Sequence, residues 1–230
     1  MLSVSQYEWL RWRVSSYLPQ DTHSEKSGFG YPVISAYFDT PSLDCFYQKI
    51  NGEYNHIKFR IRSYCHSFDQ ARKVFLEIKS KQGEAQTKLR IPLDFSPKLF
   101  QPINWWLIDD YQIAECLINY PHLEYICNVY YERDVFEGYH YECGKIRINF
   151  DANILAMPKY QPHGPPEGRV FDRLIPHNHL ICEIKTENGL FPDFLKNELR
   201  CINAHQVRIS KYAESVLSLN QQHLIKEIST

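Results

Sequence analysis

The sequence predicts an α+β fold in which an antiparallel sheet, able to close into a barrel, carries helices packed on its outside. Three observations lead there. Seven stretches alternate apolar and polar residues with the period of two that marks a half-buried strand. Segments with helical spacing lie mainly at the ends of the chain. The polar member of the alternation is lysine or arginine on strand after strand, an unusual choice for a merely wet face. With 230 residues, 43% of them hydrophobic, the chain can bury a core and is read as one domain over residues 1–230.

Taken in order, Val4, Tyr7, Leu10, Val14 and Tyr17 recur at helical spacing, so residues 5–18 are expected to form an amphipathic helix, capped by Ser3 or Ser5. Strands are expected at Val33–Phe38, His56–Tyr64, Lys73–Lys81 and Gln86–Leu93. A helix follows over Asp110–Asn119, then strands at Tyr125–Phe136, Lys145–Ile154 and Leu180–Lys185. Between the last two lies Pro158–Gly168, whose Pro and Gly density marks an excursion between strands. Beyond Leu190 the pattern turns helical, with Pro192 suited to a first turn, and a final helix starts near Ser210.

The strand alternation carries chemistry. Lys58, Arg60 and Arg62 oppose Ile57, Phe59 and Ile61; Glu77, Lys79 and Lys81 oppose Val74, Leu76 and Ile78. Lys88 and Arg90 oppose Leu89 and Ile91; Lys145, Arg147 and Asp151 oppose Ile146, Ile148 and Phe150. Glu183 and Lys185 oppose Leu180, Cys182 and Ile184, and Arg133 shares a face with Val129 and Tyr131. Eleven basic residues against three acids leave this face with an excess of about eight positive charges. Such crowding disfavours neighbouring strands unless an anion compensates, and arginine suits bidentate phosphate contacts. In a closed barrel the basic face would line a tunnel. A carboxylate among so many cations suits a divalent ion that bridges phosphate oxygens. Glu183 is read as such a ligand. For Glu77 both a metal role and an ion pair with Lys79 stay open, and for Glu183 the competing pair is with Lys185.

Composition sets the outer limits. The formal net charge of −1 excludes a general polycation that coats nucleic acid or anionic membrane. Seven cysteines without a CxxC pair, and ten histidines without HExxH, give no zinc or redox motif. No stretch has the apolar length of a transmembrane helix and no secretory signal is visible, so a cytoplasmic protein without direct membrane insertion is expected. No motif for specific nucleic-acid recognition is present.

The stretches ISAYFDTPSLDCFYQKINGEYNHIKFRIRSY, VFLEIKSK, YYERDVFE, KIRINFDANI, LICEIKTE and VRISKYAES, in this order, resemble the polyphosphate polymerase domain of the vacuolar transporter chaperone (VTC) family, which has the CYTH-like, triphosphate tunnel metalloenzyme fold. The resemblance runs roughly from Ser3 to Ser218. It implies a barrel tunnel that binds the triphosphate of ATP and transfers its γ-phosphoryl group to a growing polyphosphate chain with Mn2+ or Mg2+. By similarity Arg60, Arg62, Lys79, Arg133, Arg147 and Lys211 are the candidate catalytic groups. Lys58, Lys81, Lys88, Arg90, Lys145, Lys185 and Arg208 are candidate substrate contacts, and Glu183 and Glu77 candidate metal ligands. Family members open with a basic strand before the first helix, whereas Met1-Leu2-Ser3-Val4-Ser5 corresponds to the end of that strand, so either the true start lies upstream or the tunnel lacks a strand and one or more cationic contacts. Two further readings of the fold stay open: water as acceptor, giving a triphosphatase or nucleotide hydrolase, and a non-catalytic phosphate- or polyphosphate-binding module. Recruitment to a membrane by a membrane-protein partner is compatible with either.

Overall fold

A computed structural model describes residues 1–27, 30–100, 111–159 and 171–228. In chain order the elements are β1 (Leu2–Ser3), α1 (Val4–Ser15), α2 (Thr22–Ser27), β2 (Tyr31–Asp39), α3 (Asp44–Ile50), β3 (His56–Ser63), β4 (Lys73–Gln82) and β5 (Ala85–Asp94). They continue with α4 (Tyr111–Ile118), β6 (Glu124–His140), β7 (Gly144–Pro158), β8 (Asp172–Arg173), β9 (His179–Thr186), α5 (Asp193–Cys201) and α6 (Lys211–Ile228). Each of the seven expected strands and four expected helices has a counterpart within a few residues. Pro192 sits at the N-cap of α5 rather than inside its first turn. Residues 160–170, most of the expected excursion, lie outside the described residues, as does Asp110.

The chain divides into two compact units. The first comprises Met1–Pro32, Tyr131–Ile154 and Ile175–Ile209; the second comprises Val33–Tyr130, Leu155–Leu174 and Ser210–Thr230.

In the first unit, strands pair in the order β1-β9-β7-β6. Leu2 stands opposite Leu180, so the N-terminal strand is only two residues long before α1 begins. A reciprocal cap starts that helix. Ser3 Oγ accepts from the Gln6 amide, and Gln6 Oε1 accepts from the Ser3 amide at 2.8 Å. Tyr7, Leu10 and Val14 then recur on one face and bury against Phe136, Ile148, Phe150, Leu180 and Leu195. The exposed alternate positions of the helix leave Trp9 to donate its indole N–H to Glu198 on α5 at 3.0 Å, beside Arg13 at 2.6 Å. Asp134, buried, accepts from Arg11, Gln20 and Tyr7. Gly30 lies close against β6: a Cβ on it, whose φ is +135°, would come within 2.7 Å of the Arg133 carbonyl oxygen.

In the second unit the order is β6-β2-β3-β4-β5, antiparallel in the β2-β3, β3-β4 and β4-β5 ladders. Alternation works as the sequence implied: Ile57, Phe59 and Ile61 with Val74, Leu76 and Ile78 form one face, buried under Ile113 and Leu117 of α4 and Phe68. Neither run of strands returns to its starting edge among the described residues. The described residues therefore form an α+β arrangement with an antiparallel sheet that is open among them.

The helix α3 was absent from the periodicity. Its signal is Asp39, wholly buried at the end of β2, whose carboxylate accepts from the Cys45 and Phe46 amides, each at 2.9 Å, and from the Tyr212 hydroxyl. Asp39→Ala leaves those donors unsatisfied and is expected to destabilise the fold by about 1–3 kcal/mol, read as a lower urea midpoint at unchanged m value. An unchanged midpoint would show that the Asp39 contacts contribute nothing net. Among the described residues no helix is long and apolar enough to cross a membrane.

Candidate functional site

The register of the second unit turns the alternation into a grid. Across β2, β3, β4 and β5, Tyr37 stands opposite Arg60, Arg60 opposite Glu77, and Glu77 opposite Arg90. In the next row Lys58 stands opposite Lys79 and Lys79 opposite Lys88. Side chains directly opposite lie only about 5 Å apart at Cβ. Three lysines are thus held abreast on β3, β4 and β5, with Asp39 at the end of β2 next in the same register. Ser35 faces Arg62 in the row on the other side of Glu77.

Glu77 is 0% exposed and organises the middle row. Its Oε2 accepts from Arg60 Nε at 2.8 Å and lies 3.7 Å from Arg62 Nη1. Its Oε1 lies 2.9 Å from Lys88 Nζ and 3.6 Å from Arg90 Nε. The Lys88 contact is close but off the hydrogen-bonding angles, so Oε1 has charge partners without an aligned donor. Burial alone would raise the Glu77 carboxyl, yet Arg60, Arg62 and Lys88 hold it well below the usual carboxylate range. The two arginines are fixed from behind. Arg60 Nη1 donates to Tyr37 Oη at 3.2 Å and Arg62 Nε to Ser35 Oγ at 3.1 Å. The Tyr37 ring stacks on Tyr212, 5.1 Å between centroids. Against the effect of burial, the charges of Arg60, Arg62 and Lys58 lower the Tyr37 hydroxyl below its ordinary value. Lys58 is itself lowered by burial and donates to Ser210 Oγ at 2.8 Å, just before Lys211 opens α6. Lys81 lies over the Tyr54 ring, 5.8 Å from its centroid, and Arg90 packs at 3.9 Å over Phe75.

The first unit carries a second polar face on β6, β7 and β9. Arg147 stands opposite Lys185, and Asn149 opposite Glu183. Arg133 grips the buried Asp151 with two bonds, Nε to Oδ1 at 2.6 Å and Nη2 to Oδ2 at 2.7 Å. Burial opposes the Arg133 charge, but the attraction of Asp151 keeps its guanidinium well above the ordinary value. Arg147 pairs with Glu137 at 2.6 Å and donates to Asn149 at 3.0 Å. The Glu183 side chain, 39% exposed, meets Lys185 Nζ at 3.0 Å and the Asn149 amide at 3.3 Å, with Arg133 Nη2 at 3.7 Å. Lys145 and Arg208 are exposed.

These positions sort the expected residues. Arg60, Arg62, Lys58, Lys79, Lys88 and Arg90 share one face with Glu77, while Arg133, Arg147, Lys185 and Glu183 share another in the first unit. The Glu183–Lys185 ion pair, the competing reading of Glu183, is present; Glu77 meets Arg60, Lys88, Arg62 and Arg90 rather than Lys79. Sequence reasoning missed Tyr37, Ser35, Asn149 and Glu137. The first two follow from parity in β2, where Ser35 and Tyr37 alternate with Ile34, Ala36 and Phe38.

The donor chemistry can be tested against a divalent ion. A hard cation that carries phosphate oxygens needs only one or two protein carboxylates. Glu183 fits: it is half-exposed and its neighbours include the neutral Asn149. Asp151 does not, since Arg133 takes both its oxygens. Glu77 is surrounded by cations, a poor setting for another one. Among the described residues no cluster of three or more His, Cys, Asp or Glu side chains forms an all-protein metal cage.

No protein in a search of curated sequences matches this chain. The model of the VTC domain, in contrast, matches residues 1–220, which include both basic faces, and the chain therefore belongs to the VTC domain family.

Proposed function

We propose that this VTC-domain chain transfers a phosphoryl group from ATP to a growing polyphosphate chain, in keeping with the polyphosphate-related function that the family suggests. The observation that carries the reading is the lysine row Lys58-Lys79-Lys88 beside the Arg60-Glu77-Arg90 row. Lysines on three adjacent strands, beside Arg60, Arg62 and Arg90, concentrate positive charge on one face, and a chain of phosphates supplies one negative charge per linked unit. Phosphoryl transfer depends on positioning and on neutralising charge rather than on a protein nucleophile. Arg60 and Arg62, anchored by Tyr37 and Ser35, would orient phosphate oxygens through their guanidinium forks. Lys79 and Lys88 would neutralise the neighbouring phosphates. In the first unit, Arg133 and Arg147 would offer the same chemistry to phosphate on the face that bears Glu183. Glu183 would hold Mn2+ or Mg2+, which when bound supplies further neutralisation of phosphate charge. The wall of a barrel tunnel, as the family resemblance implies, would be formed by the antiparallel sheet.

Incubation of the protein with ATP and Mn2+ is expected to give polymer detectable by a polyphosphate stain on a gel. Phosphate release from inorganic triphosphate without polymer would transfer the reading to a hydrolase. Binding without either product would leave a phosphate-binding module, and the absence of any thermal shift with triphosphate would overturn all three.

A further inference from the structure

Glu77 is the anomaly of the basic face. A site that must attract phosphates gains nothing from an ionised carboxylate at its centre, yet this one is wholly buried and meets four cations. The four partners divide into two kinds. Arg60 and Arg62, with side chains 12% and 7% exposed, are fixed by Tyr37 and Ser35 and would stay in place whatever else happened on the face. Lys88 and Arg90 lie on β5 with side chains 46% and 39% exposed. Both meet Oε1, the Lys88 ammonium at 2.9 Å and the Arg90 guanidinium at 3.6 Å. A phosphate oxygen presented to this face would compete for these same exposed groups. A carboxylate and a phosphate offer them the same chemistry, and the phosphate carries more charge.

We propose that Glu77 is a resident counter-ion rather than a metal ligand: it holds Lys88 and Arg90 in the absence of ligand and yields them to a bound phosphate. The inference rests on the phosphate-binding reading above. It has two opposed consequences. Without ligand, Glu77 stabilises the fold by neutralising Arg60 and Arg62. With ligand, its negative charge repels the phosphate, lowers the affinity and favours release.

The test compares wild type with Glu77→Gln by titration with inorganic tripolyphosphate, free of metal and at low salt, and by thermal melting with and without it. The variant is expected to melt lower without anion, to gain more on addition of tripolyphosphate than wild type does, and to bind it at least about 10-fold more tightly, because one repelling charge is gone. If Glu77→Gln is unfolded in plain buffer, the same inference requires that tripolyphosphate restore the fold. A folded variant with equal or weaker affinity would overturn it, and so would a variant that tripolyphosphate cannot rescue. A loss of Mn2+ binding with unchanged metal-free affinity would assign Glu77 to a metal instead. Wild-type binding in these cases leaves the phosphate reading standing, whereas wild type that neither binds nor shifts would overturn both.

Discussion

Arg133→Met is expected to destabilise the protein by about 3–5 kcal/mol, the loss associated with stranding one partner of a buried ion pair. Asp151 is wholly buried, and both its oxygens are held by the Arg133 guanidinium. Methionine keeps much of the side-chain volume but leaves that carboxylate without its fork of donors. Chemical denaturation at neutral pH measures the effect as a drop in midpoint. The cause can be separated from lost packing with a second substitution. Arg133→Met combined with Asp151→Leu removes the stranded charge and is expected to recover most of the loss, because an apolar pair of similar volume often replaces a buried ion pair at little cost. A double variant as unstable as the single one would place the effect in packing. In either variant the candidate phosphate contact of Arg133 is gone, so recovery of stability without recovery of polymer synthesis is the expected split.

Glu183→Gln is expected to do the reverse: little change in stability, a large change in activity. Its side chain is 39% exposed and its nearest cation, Lys185, is 55% exposed, so the pair resembles a surface contact worth less than about 1 kcal/mol. On the proposed reading the same carboxylate holds the divalent ion, whose charge stabilisation amounts to several kcal/mol, so the metal-dependent rate is expected to fall by roughly 10²–10³-fold. Polymer yield against Mn2+ concentration is the measurement, with the urea midpoint as control. A variant that keeps both the rate and its Mn2+ dependence would remove Glu183 from the metal role.

Much of the architecture was legible in the sequence because it depends on local periodicity. Leu76 and Ile78 had to face the core and Glu77 and Lys79 the other side, since parity along a strand decides the face. The same rule showed the basic faces before any contact was known. The four helices found from spacing all bury an apolar stripe or continue from a recognisable start. The ones missed lack such a stripe: α3 is seven residues long, and the buried Asp39 at the end of β2 holds the amides of its first turn and the hydroxyl of Tyr212, from a distant part of the chain. Buried acids such as Asp134 and Glu198 were equally silent, because their partners Arg11 and Arg13 lie more than 120 residues away in sequence.

Glu77 shows where the division falls. Sequence alone determined that it lies on a face rich in Lys and Arg, and offered Lys79, two residues on, as its partner. Tertiary structure chose otherwise. Neighbours two apart on a strand are separated by about 6.7 Å along the backbone, whereas residues opposite each other on paired strands stand about 5 Å apart. Register therefore decides the partner, and it sets Arg60 and Arg90 on either side of Glu77. On β9 the residue opposite Glu183 is the neutral Asn149, and there the in-strand lysine does form the pair. The identity of a face is a property of one strand and can be read along the chain; the pairing of charges belongs to neighbouring strands and exists only once they are aligned.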